Sequence, residues 1–301
     1  MSIPLDYAQL KALAAVVREG SFEKAALALH VTPSAVSQRI RALEDRVGRL
    51  LVRRTTPTDA TPDGQILVQL AEQTALLEGD AWRRMGVRDE SDAPATLAVA
   101  VNHDSLETWF IDAAARFSQH SGTTLTLQSD DQDHTAELLR SGAVLGAVTA
   151  SAQAVQGCNM HALGKMRYAA TCSPAFHARH FAKGVNAASI GRAPVLVFNR
   201  KDALQARFAH RVAPDVYWNP PTWWLPSSRA FVDATLRGLG WTMNPLLLIQ
   251  QDLDAGRLVM LRQRAFEDVP LYWQHWRIDA DVMTSLTQAV RAAANERLRP
   301  V

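Results

Sequence analysis

Residues 21–55 read SFEKAALALHVTPSAVSQRIRALEDRVGRLLVRRT, and this stretch decides the N-terminal fold. Ser21 can cap a helix in which Phe22, Ala25, Ala26 and Leu29 fall at i, i+3, i+4 and i+7. The small alanines on that face let a neighbouring helix approach closely. HVTP then makes a turn: Thr32 is a good N-cap, and Pro33 fits the first helical position, where a missing N–H costs nothing. In the helix that follows, Val36, Ile40, Leu43 and Val47 form an inward face. Ser34, Ser37, Gln38 and Arg41 form an outward one. Short hydroxyls, an amide and a guanidinium suit a face laid in the major groove, where Gln reads adenine and Arg reads guanine. A merely solvated helix face is the rival reading. The cap, the two short helices before it and the basic stretch after it weigh against that rival.

Working outward, Tyr7, Leu10, Leu13 and Val17 give a first helix that Gly20 ends. Downstream, Leu51 and Val52 read as a short strand and Thr55–Ala60 as a turn with a return strand, which makes a β-wing. Arg53 and Arg54 on it would meet phosphates and set register rather than read bases. The net charge of the 301-residue chain is only +2, but its distribution is uneven. Between His30 and Thr58 lie Arg39, Arg41, Arg46, Arg49, Arg53 and Arg54, against Glu44 and Asp45 alone. Such a local basic stripe is what a phosphate backbone requires. Thr61-Pro62 repeats the cap-then-proline signal. In the helix after it, Leu67, Leu70, Thr74, Leu77 and Ala81 alternate three and four apart, a coiled-coil seam for a dimer. A helix packed on its own domain is the alternative.

VRDESDAPA, residues 87–95, reads as a hinge. Beyond it the pattern changes to TLAVAVN (strand), SLETWFIDAAARF (helix), TLTLQS (strand), HTAELLRSG (helix) and GAVTA (strand). Strands alternating with helices indicate βαβ units and a parallel sheet. A second unit begins near His161 and contains the buried-strand signal APVLVFN. SSRAFVDATLRGLGWTMNP reads as a helix and a strand, LYWQHWRI and VMTSLTQAVRAAANERL as a last strand and helix. The length suits two or three compact units, and 48% apolar with 21% charged residues is ordinary for a globular protein. No apolar run approaches a membrane span and no secretory leader is evident, so the expected compartment is the cytoplasm. There Cys158 and Cys172 are expected as two buried or half-buried thiols rather than a bridge. GxSxG, HExxH and phosphate-loop motifs are absent, so no enzyme is expected. Cys158 with His161, and His177 with His180, are too isolated to indicate a metal.

The run of residues 21–55 resembles the helix-turn-helix and wing of the LysR-type transcriptional regulators, and the downstream length and element order resemble their effector-binding domain. VNHDSLETW and PSSRAFVDATLRGLGW, with HVTPSAVSQRI, are similar to the ArgP/LysG branch, which senses basic amino acids and controls their export. The resemblance implies a winged helix-turn-helix over 1–61, a dimerisation helix over 62–86 and a hinge over 87–95. It also implies a periplasmic-binding-protein-like effector domain over 96–301. Its subdomain I would hold about 96–160 and 267–301, and its subdomain II about 161–266. Double-stranded operator DNA, a small-molecule effector and RNA polymerase are the implied partners, with a homodimer or homotetramer as the assembly and no cofactor. A departure from the family pattern stands at Asn244, where an apolar residue commonly precedes the proline.

Ligands in open parallel sheets sit beyond the carboxyl ends of strands. TLAVAVN ends at Asn102, so the helix start near Asp104 and Ser105 would offer N–H donors to an effector carboxylate. Simple capping by either side chain is the alternative. The second strand ends at Ser129, and Asp130 or, preferably, Asp131 would meet a cation, unless this is only a solvated acidic loop. Phe198, Asn199, Ser227 and Ser228 form the expected opposite wall. A ligand-free architectural DNA-binding protein, or a regulator of another metabolite, are the competing functions.

Overall fold

A computed structural model describes residues 4–86, 96–130, 135–140 and 142–300. The hinge at 87–95 and Asp131 lie outside the described residues. α1 (Tyr7–Glu19), α2 (Phe22–Ala28) and α3 (Pro33–Val47) form a three-helix unit. Their caps are the local ones. The Ser21 hydroxyl accepts from the Glu23 and Lys24 amides, the Thr32 hydroxyl accepts from Ala35, and Pro33 stands at the start of α3. Leu10, Leu13, Val16, Ala25, Val36, Ile40 and Leu43 close the core between them. β1 (Val52–Arg53) pairs antiparallel with β2 (Asp59–Ala60) as the wing. The wing is tied back by the Thr58 amide, which donates to the Gly20 carbonyl at 2.8 Å. The Leu51 amide likewise donates to the Glu44 carboxylate at 2.8 Å.

α4 (Pro62–Arg84) begins where the Thr61 hydroxyl accepts from the Gly64 amide. Gly64 is required by proximity, since a Cβ there would lie 1.9 Å from the Leu51 carbonyl oxygen. The first turns of α4 cover the winged-helix core, with Val68 and Ala71 buried and Leu67 packed against it. Leu67 therefore leaves the expected seam. The large apolar residues that α4 leaves uncovered are Ile66, Leu70, Leu77 and Trp82, at 61%, 38%, 46% and 47% exposure. Ala81, one turn on from Leu77, is exposed as well. Leu76, on another face, packs against the core of the C-terminal region.

That region is built on β3 (Thr96–Asn102), which lies parallel to both β4 (Thr124–Asp130) and β5 (Gly146–Thr149). α5 (His103–Ser105), a π-helical turn (Leu106–Phe110) and α6 (Ile111–Ser121) connect β3 to β4, and α7 (Thr135–Arg140) precedes β5. β6 (Cys158–Cys172) then carries the chain into a second lobe. This lobe contains α8 (Pro174–His180), α9 (Ala187–Arg192), β7 (Val195–Val197), α10 (Leu204–Val212) and β8 (Thr222–Trp224). It continues through α11 (Ser228–Leu236), β9 (Thr242–Pro245), α12 (Leu246–Asp254) and β10 (Val259–Met260). β11 (Phe266–Trp276) returns, and α13 (Asp281–Arg297) packs against α6.

β6 and β11 pair antiparallel over their length, from Phe266 opposite Ala169 to Trp276 opposite Cys158, with a bulge at Leu271/Tyr272. Each serves both lobes. β11 pairs with β5 through Tyr272–His275, while β9 and β10 pair with the far end of β6. This is the two-lobed, periplasmic-binding-protein-like arrangement. Cys158 and Cys172, at the two ends of β6, are free and buried, and burial pushes their thiols up to about 11 and about 12. Asn244 is fully buried on β9, donating to the Thr171 hydroxyl at 3.0 Å; it cements β9 to β6 and does not reach the cleft described next.

Candidate DNA-binding face and effector cleft

On α3 the inward Val36, Ile40 and Leu43 are fully buried, while Ser34, Gln38 and Arg41 are exposed and Ser37 is half-buried. A continuous polar face therefore remains clear of the fold. Thr32 and Pro33 build the helix start beneath it. Of the six arginines in the basic stripe, two are held by short contacts within the chain. Arg46 donates to the Pro4 carbonyl at 2.6 Å, and Arg49 pairs with Asp63 at 2.9 Å. Arg53 lies across the wing from Asp59 at 3.7 Å, and the Arg54 guanidinium stands 5.3 Å from the Phe22 ring. Both wing arginines are exposed and loosely held, as phosphate contacts need to be.

Between the two lobes lies a cleft of about 360 Å3. Asn102, His103 and Asp104 supply one wall, from the carboxyl end of β3. Tyr168 from β6 and Val269 from β11 form the floor. Phe198, Asn199, Asp202, Gln205 and Ser228 form the opposite wall. Asp104 is the densest polar centre. The Tyr168 hydroxyl donates to its Oδ2 at 2.5 Å, and Ser228 bonds it from the facing lobe. Burial raises the Asp104 carboxyl above the ordinary carboxylate range, against the opposing pull of those two hydroxyls. Burial, and Asp104 beside it, hold the Tyr168 phenol well above its usual value.

Asp202 is fixed by amide donors: Phe198 and Leu204 backbone N–H groups and the Gln205 side chain, the last at 3.0 Å. Asn199 folds the same loop by accepting from the Lys201 and Asp202 amides. Two further acids at the rim are already neutralised. Asp268 takes a two-point contact from Arg167 at 2.6 Å, and Glu267 meets Arg211 at 2.7 Å. His103 bonds the Ser129 hydroxyl at 2.9 Å and stacks at a tilt on Phe198 across the cleft.

Of the residues singled out from the sequence, Asn102, Asp104, Phe198, Asn199 and Ser228 meet in this cleft. Ser105 is wholly buried and does not line it. Ser227 spends its hydroxyl capping α11 through the Ala230 amide. Asp130 ends β4 in register with Asn102. Tyr168, Asp202 and Gln205 escaped the sequence reading. Asp202 carried a usable signal, an acid just beyond a buried strand, whereas Tyr168 sits mid-strand with nothing local to mark it. Among the described residues no group of three metal-ligating side chains occurs.

Comparison with known proteins agrees with this architecture. Residues 7–65 match the bacterial regulatory helix-turn-helix protein family named for LysR, and residues 91–298 match the LysR substrate-binding domain. The lysine export transcriptional regulatory protein LysG of Corynebacterium glutamicum is 41% identical over 293 residues, covering 97% of this chain and 99% of that one. The crystal structure of ArgP from Mycobacterium tuberculosis superposes with a TM-score of 0.86 at 43% identity, over 99% of this chain and 100% of that chain. Full-length LysG from Corynebacterium glutamicum with bound effector Arg superposes at 0.75 with 40% identity, over 98% of this chain and all of that one. With both domains matched in order and relatives alike along nearly the whole length, this chain belongs to the LysR family of bacterial helix-turn-helix transcriptional regulators.

Proposed function

We propose that this regulator senses a basic amino acid, L-lysine or L-arginine, in the interlobe cleft and adjusts transcription of genes for basic amino acid export in the bacterial cytoplasm. The observation that carries the reading is the charge of the cleft. Asp104 and Asp202 face it from opposite lobes, while the rim acids are held by their own arginines. An acid already occupies the helix start at Asp104, so this end of the cleft suits a ligand's cation rather than its carboxylate. The arginine bound to the corynebacterial relative and that relative's name support the same class. In a thermal-shift screen of the twenty amino acids on the full-length protein, lysine and arginine are expected to raise the midpoint and neutral amino acids to leave it unchanged. A ligand at a hundred times its Kd adds about 2.7 kcal/mol. A shift with acidic or apolar amino acids alone would assign the cleft to another metabolite.

The output is operator binding through α3 and the wing, by a dimer or tetramer that holds two reading heads at fixed spacing and presents them to RNA polymerase. Gln38→Ala or Arg41→Ala is expected to relax sequence preference and weaken the specific site by roughly 1–3 kcal/mol. Arg54→Ala should weaken all DNA alike and flatten the salt dependence of binding. Gel shifts on operator and scrambled duplexes at several salt concentrations separate the two effects. An Arg54 variant with altered base preference, beside a silent Gln38 variant, would reverse the assignment of helix and wing.

A further inference from the structure

We propose that Asp104 is the residue that selects a cationic effector, and that the effector's charged nitrogen takes the place of a proton held on the Asp104 carboxyl, which is released to solvent on binding. The inference rests on the basic amino acid reading of the cleft and adds to it the selecting group and the proton exchange. Asp104 is enclosed by Tyr168 of β6 and Ser228 of α11, both hydroxyl donors, and among the described residues no lysine or arginine lies within ion-pairing distance of it. A lone carboxylate enclosed in this way is costly, so with the cleft empty a bound proton is the cheaper state. A second observation points to the same ligand charge. Gln205 is 1% exposed and lines the cleft, its Nε2 donates to Asp202 and Thr242, and its Oε1 has no partner. The amide orientation is fixed, because a carboxylate only accepts. Its free end is therefore an acceptor, as is the unpartnered Oδ1 of buried Asn102 in the same cleft. Acceptors without donors await an N–H cation.

The exchange balances without any co-reactant. The Asp104 O–H gives its proton to water, and the carboxylate then accepts from the ligand's ammonium or guanidinium. The sign follows from linkage. Burial raises the carboxyl's pKa in the empty protein and the ligand's charge lowers it in the complex, so the complex carries fewer protons and affinity rises with pH. The other charged groups around Asp104 act on the same balance. His103 on its own helix favours the carboxylate, and Asp202 across the cleft opposes it. Tyr168 stays protonated, Lys201 and Arg207 also line the cleft, and Glu267 and Asp268 are paired with arginines. His103 is the neighbour on the same helix whose charge bears on Asp104, so its replacement is the control.

The test is calorimetry of L-arginine into the full-length protein at about pH 6.5, in two buffers of different ionisation enthalpy, repeated between about pH 5.5 and 8. The expected result is a buffer-dependent heat that reports up to about one proton released per arginine, with affinity strengthening by at most about tenfold per pH unit. Asp104→Asn should abolish the release and weaken arginine by more than about tenfold, while operator binding shows that the variant is folded. His103→Gln should keep the release, whatever it does to affinity. Arginine binding with no buffer dependence, or release that survives Asp104→Asn or disappears in His103→Gln, overturns the proposal. Absence of any heat with arginine and with lysine overturns the effector class itself, and the proposal with it.

Discussion

Trp273→Ala is expected to destabilise the effector domain by roughly 3–5 kcal/mol, as the loss of a large buried aromatic does. Trp273 lies on β11, fully buried, with its indole N–H donated to the Thr287 hydroxyl of α13 at 3.1 Å. Its ring is packed so closely on β5 that a Cβ added at Gly146 would come within 2.3 Å of it. The side chain thus holds the returning crossover strand, the parallel sheet and the last helix in one piece. Its removal leaves a cavity among rigid strands and orphans the Thr287 hydroxyl. Differential scanning should show the effector-domain midpoint falling by on the order of 10 °C. An unchanged midpoint would mean that β11, β5 and α13 are held together elsewhere. Because β11 also carries Val269 into the cleft floor, the same variant should lose effector binding before it unfolds.

Leu70→Glu combined with Leu77→Glu is expected to release monomers and abolish cooperative operator binding. Both side chains are exposed on α4, in line with Ile66 and Ala81, on the side away from Val68 and Ala71, which the winged-helix core buries. An exposed apolar row whose members stand four, seven and four residues apart, on a 23-residue helix, fits a helix from a second copy. Two carboxylates facing their counterparts across the seam would repel and would have to be desolvated. Light scattering reads the mass and footprinting reads the occupancy of paired half-sites. An unchanged mass would place the contact between subunits on another face.

The winged helix-turn-helix was legible because its signals are local. The Thr32-Pro33 start, the Ser21 cap and the rows Val36-Ile40-Leu43 and Leu10-Leu13 depend only on neighbours within a turn or two. β3 and β4 were legible in the same way, as short runs of alternating residues between helices. β6 was not. Its fifteen residues pass from one lobe to the other, so which side of the strand is covered changes along its length and no single period survives. The seam shows both regimes. Spacing alone made α4 a helix with an apolar row, but the close approach at Gly64 and Leu51 decided that Leu67 turns inward and Ile66 stays outside. The cleft depended most on tertiary structure. Asp104 read as part of a helix start offered to an effector carboxylate, or as its cap, until Tyr168, 64 residues away, and Ser228, from the other lobe, closed around it. A carboxyl's charge state depends on what encloses it, and sequence spacing carries no record of that enclosure.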